Sequence, residues 1–131
     1  MPDALPIFKY DSNYNGPPVP VIKLKISNPG TQSITEDIFL VDCGADMTSI
    51  KKEIFDILDL HYSSYTTVSS ATGQEDKRFI AIVQIQTPFG FNEPIEVIIE
   101  PKTNENLLGR DLINKWKVLL DGPKQQMTIE I

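Results

Sequence analysis

Over much of this chain apolar and polar residues alternate with a period of two, the mark of strands that bury one face. Val21-Ile22-Lys23-Leu24-Lys25-Ile26 sets apolar residues against lysines and stops at the turn signal Asn28-Pro29-Gly30. A second strand is predicted from about Thr35 to Asp42. Ile50, Ile54, Ile57, Leu58 and Leu60 instead fall at helical intervals, which predicts a short outer helix over 50–60 with Thr48 or Ser49 as N-cap and Glu53 in its first turn. Tyr65 to Val68 and Phe79 to Ile85 are β-rich, and the small polar run from Ser69 to Asp76 between them predicts a long hairpin with a mobile tip. Ile95 to Ile99 forms another strand, and Leu107 to Ile113 leads into a short helix that ends before Trp116. Val118 to Leu120 and Met127 to Ile131 are strands around an Asp121-Gly122-Pro123 turn. Many short strands and little helix predict an all-β barrel or sandwich, with no internal repeat.

The first twenty residues break the pattern. Pro2, Pro6, Pro17, Pro18 and Pro20 stand among Asn, Asp and Tyr, so residues 1–20 are expected to be an extended Pro-rich arm without a regular ladder, ahead of one domain over residues 21–131. A length of 131 residues with 40% hydrophobic content suits that single domain. No run approaches a membrane span and no secretory leader is visible, so the expected compartment is cytoplasmic. A formal net charge of −6, with Lys and Arg spread thinly, argues against a nucleic-acid surface. One cysteine, Cys43, and one histidine, His61, leave no disulfide framework and no Cys/His zinc spacing. Trp116, Phe79, Phe89 and Phe91 read as packing aromatics, and His61 as a surface residue without a role.

Candidate chemistry concentrates in Phe39-Leu40-Val41-Asp42-Cys43-Gly44-Ala45-Asp46, where a hydrophobic strand stops at a carboxylate. Taking an ionised carboxylate out of water is costly without partners, so an acid at this place marks a candidate functional group. Asp before Gly is also common in plain turns, and Gly109-Arg110-Asp111 entering a helix also suits simple capping and surface charge.

Taken in order, the Leu-Val-Asp-Cys-Gly-Ala-Asp segment, the hairpin around Ala71-Thr72-Gly73 and Leu107-Leu108-Gly109-Arg110-Asp111 resemble the retropepsin-type aspartic proteases over roughly Pro20 to Ile131. That family includes retroviral proteases and the protease domain of DNA-damage-inducible shuttle proteins. The resemblance implies a closed β-barrel with a flap hairpin and one or two short helices. It further implies a homodimer in which Asp42 of each subunit completes a catalytic dyad, with no cofactor and no metal. The expected reaction is cleavage of extended peptides at bonds flanked by hydrophobic residues. By the same resemblance Cys43 and Gly44 form the active-site loop and dimer contact, and Leu40, Ala45, Asp46 and Leu107 line the substrate cleft. Ala71, Thr72 and Gly73 would close over the peptide, and Arg110 would pair structurally with Asp46. Cys43 stands where the family carries Thr or Ser, which keeps a second reading open: a weak or inactive module for peptide binding or dimerisation. Met127 to Ile131 is the strand expected to pair between subunits, since an apolar terminal strand would otherwise leave an exposed edge.

Overall fold

The computed structural model describes residues 5–131; the first four residues of the expected arm lie outside it. Strand β2 (Val21–Ser27) shows how the alternation works, for Ile22, Leu24 and Ile26 are buried while Lys23 and Lys25 face water. It pairs antiparallel with β3 (Ile34–Val41) on one side and with β6 (Glu75–Gln86) on the other. The remaining barrel strands are β4 (Ser49–Lys51), β7 (Asn92–Glu100) and β8 (Asn106–Leu108). The order β2-β3-β8-β4-β7-β6 therefore closes on itself as a six-stranded barrel, with β5 (Ser64–Ser69) added outside β6. Leu24, Ile26, Phe39, Ile50, Val83, Ile85, Val97 and Leu108 fill its interior. Closure leaves the barrel strands few free edges, which favours a single register.

The helix expected over 50–60 is shorter. Ser49–Lys51 is a strand, and α1 spans only Lys52–Ile57, with no side-chain cap. Neither Thr48 nor Ser49 caps a helix, because pairing of β4 beside β7 and β8 claims Ile50 for the core. The second helix, α2 (Arg110–Ile113), does end before Trp116. Trp116 and Phe91 are buried edge to face, with ring centroids 5.2 Å apart, whereas Phe79 is 42% exposed and stacks on Tyr62 at 4.1 Å. No described helix is long and apolar enough to cross a membrane.

Part of the expected arm does keep a ladder. Strand β1 (Ile7–Lys9) pairs antiparallel with β10 (Gln126–Glu130), which pairs on its other side with β9 (Lys117–Asp121). The short segment between Pro6 and Pro17 escapes proline's restriction, and Phe8 supplies an apolar partner over the buried Met127. The expectation that the terminal strand offers its edge to a second subunit is therefore corrected, since β10 is central in its own sheet. Free edges there belong to β1 and β9.

Candidate active site

Asp42 follows the last residue of β3, and its N–H donates to the Leu108 carbonyl of β8 at 3.0 Å. The chain then turns sharply. The Gly44 N–H donates to Asp42 Oδ1 at 2.9 Å and the Ala45 N–H to the Asp42 carbonyl at 3.1 Å. A Cβ on Gly44 would stand 3.1 Å from that same Oδ1, so glycine keeps the approach to the carboxylate open. Asp42 is half-buried in the single chain, while Cys43 and Gly44 are exposed.

The start of α2 fastens this loop. The Arg110 N–H donates to the Ala45 carbonyl at 2.9 Å, its Nη1 donates to the Cys43 carbonyl at 3.2 Å, and its Nη2 is ion-paired with Asp46. One residue on, the Asp111 carboxylate accepts from the Thr48 N–H at 3.0 Å, the Thr48 hydroxyl at 2.8 Å and the Leu112 N–H at 2.9 Å. Thr48 Oγ1 in turn accepts from the Gly109 N–H at 3.1 Å. Gly109 is packed so tightly that a Cβ would lie 2.5 Å from the Met47 carbonyl carbon. By sequence pattern alone Thr48 suits a helix cap and Asp111 suits capping or surface charge, and neither pattern points to the other residue. A conspicuous acid beside Gly-Arg was the available signal, but its partner lies 63 positions away.

A cleft of about 450 Å³ opens beside this loop. Gly44, Ala45 and Asp46 of the loop line it together with Ile98 of β7, Leu107 of β8, and Thr66 and Val68 of β5. Of the anticipated cleft residues Leu40 instead lines an adjoining cavity of about 150 Å³ with Tyr14 and Glu105. A hydrogen bond to Glu105, followed by the charge of that carboxylate and a smaller effect of Asp42, raises the Tyr14 phenol above its ordinary pKa. The proline-rich segment thus brings an aromatic side chain into one cavity with Leu40 and Glu105, which its composition did not suggest. Ala71, Thr72 and Gly73 form the hairpin turn, with the Gly73 N–H donating to the Ser70 carbonyl at 3.0 Å and Gly73 at φ 81°. None of the three lines the cleft; the hairpin contributes Thr66 to Ser69 instead. Another groove, of about 510 Å³, lies on the wet face of β2 beside Lys23, Lys25 and Phe8 and holds no pair of acids. Among the described residues no three His, Cys, Asp or Glu side chains gather as metal ligands.

A closed barrel whose strand end delivers Asp-Cys-Gly-Ala beside a cleft lined in part by a β-hairpin defines the retropepsin-like aspartic protease class. Residues 35–115 match the family described as gag-polyprotein putative aspartyl protease, and the chain belongs to that family. Its fold is similar to a retropepsin-like aspartic protease from Rickettsia conorii, with TM-score 0.64, 15% identity, and 98% of this chain and 94% of that one covered. It is also similar to the inhibitor-complexed EIAV protease, with TM-score 0.59, 20% identity, and 79% and 92% of the two chains covered. No curated protein matches the sequence.

Proposed function

We propose that the chain is an aspartic endopeptidase that acts as a homodimer, with Asp42 of each subunit forming the catalytic pair. The observation that carries this reading is Asp42 itself: one carboxylate, half-buried, presented by a glycine-bearing loop beside a cleft of about 450 Å³. Two such acids a few ångströms apart share one proton, because like charges that close do not both ionise. The ionised member takes a proton from water as the water oxygen attacks the scissile carbonyl carbon, and the protonated member donates to the carbonyl oxygen. As the C–N bond breaks, the member protonated in the first step donates to the departing nitrogen while the ionised member takes a proton from a gem-diol hydroxyl, which forms the carboxylic acid product and returns the pair to one shared proton. Ala45, Asp46 and Leu107 would hold the peptide, whose flanking residues are hydrophobic, and the hairpin carrying Ala71-Thr72-Gly73 would close over it.

A second reading rests on Cys43, an exposed thiol at the loop apex where a hydroxyl would be the stronger hydrogen-bonding group. In it the chain is a weak or inactive peptide-binding or dimerisation module. Incubating wild type and Asp42→Asn with a denatured-protein mixture from about pH 3 to 7, with products read by mass spectrometry, separates the readings. Loss of cleavage by about 10²-fold or more in Asp42→Asn is expected for the enzyme. Identical product patterns would sink it, and an inert wild type at a concentration where it is dimeric would favour the module.

A further inference from the structure

Strand pairing sets one row of side chains across one face of the barrel, and its middle members Leu107, Ser49 and Ile98 line the cleft. Leu40 of β3 is in register with Leu107 of β8, Leu107 with Ser49 of β4, Ser49 with Ile98 of β7, and Ile98 with Ile80 of β6. Register partners share a face, so the row is apolar at every position except Ser49. The next residue along β4, β7 and β8 points into the core, where Ile50, Ile99 and Leu108 are buried. Ser49 forms part of the cleft wall and is 3% exposed, and its Oγ has no hydrogen-bond partner. The neighbouring hydroxyl, on Thr48, is fully engaged with Asp111 and Gly109. Among the described residues the other buried orphan is the Trp116 indole N–H, which lies in the aromatic core with Phe89 and Phe91 and lines none of the cavities above.

An apolar side chain at position 49 would complete the row and leave nothing unpaired, whereas an unpaired hydroxyl is unfavourable until something bonds it. We propose that Ser49 is a specificity-determining residue whose hydroxyl hydrogen-bonds the substrate side chain seated between Ala45, Ile98 and Leu107. It selects a short side chain bearing a hydroxyl or amide over its apolar isostere. Oγ is closed to water, and rotation about χ1 is the motion by which it would reach the occupant. Discrimination comes from both sides, because an apolar occupant leaves the serine unpaired and gains no bond of its own. This inference rests on the cleft being a peptide site and narrows the hydrophobic preference at one position of the substrate.

The test is a positional peptide library in which Thr is exchanged for Val, and Asn for Leu, at one site at a time. It is read both as cleavage by the wild type and as retention on Asp42→Asn. The expected result is one position at which Thr or Asn is preferred by at least about tenfold. Ser49→Ala should equalise that pair, Ser49→Thr should keep the preference, and preferences at other positions should not move. Ser49→Ala should also melt no lower than the wild type, since it removes an unpaired group. Absence of any such position, or its persistence in Ser49→Ala, overturns the proposal. Retention with this selectivity but no cleavage defeats the endopeptidase reading alone, and neither cleavage nor retention defeats both.

Discussion

At Gly109 the demand for glycine comes from a neighbour and not from the backbone angle, because a Cβ there meets Met47 main-chain atoms at 2.5 to 2.7 Å. Backbone cannot swing aside as a side chain does, so Gly109→Ala is expected to destabilise the fold by about 3 kcal/mol or more, measured by urea unfolding. Cys43 calls for a different experiment. In the proposed dimer a threonine there would supply a stronger hydrogen-bonding group at the loop apex, worth about 0.5–1.5 kcal/mol per contact. Two symmetry-related contacts should tighten dimerisation of Cys43→Thr by about tenfold, and equal or weaker association in sedimentation at matched concentration refutes it. Asp42 and Gly44 were legible in sequence because their relation spans two residues. Ser49 was not, since a serine ahead of an apolar run looks like a helix cap until strand register places it between Leu107 and Ile98.

Among the elements, the three-residue strand β8 carries much of the site, and Asn106 at its start explains how so short a strand is held. Its side chain donates to Asp37 Oδ2 and the Ile38 carbonyl and accepts from the Lys51 N–H, joining β3, β4 and β8. Asp37 is also ion-paired with Lys51 at 2.8 Å. Burial pushes the Asp37 carboxyl up, but hydrogen bonds from Lys51, the Ile38 amide and Asn106 outweigh it and hold the group below its ordinary value. A depressed carboxyl contributes stability above its unfolded pKa of about 3.9 and loses it as pH falls through the lower folded value. Asp37→Asn should therefore cost about 1 kcal/mol at pH 7, after allowance for partial solvent screening, with the deficit shrinking toward pH 2. Denaturant melts at pH 7, 4 and 2 check this, and a deficit that stays constant contradicts it. The hydrophobic periodicity over 50–60 was real, yet the pairing of Ile50 with Ile99 on β7 took the first part of it for a strand. Local spacing does not report the partner that wins.

For the whole molecule, the described part of the proline-rich arm, from residue 5 on, is woven into the structure. β1 covers one edge of β10, and the Phe8 ring meets Phe89 edge to face at 6.2 Å. Deleting residues 1–10 should lower Tm by about 5 °C or more and produce larger species in size-exclusion chromatography, because it bares a strand edge and the flank of Met127. A truncated chain that melts like the full one would show that β1 adds nothing. What the sequence determined by itself was local: strand alternation, the Asp42 loop, the hairpin and the Gly-Arg-Asp signal are each written within a few consecutive residues, where period and turn chemistry act. The tertiary structure alone decided which distant segments meet: Thr48 with Asp111, β1 with β10, Tyr14 with Glu105, and Ser49 in an otherwise apolar row. Those choices depend on barrel closure and strand register, in which many weak pairings compete together and no single stretch of chain carries the outcome.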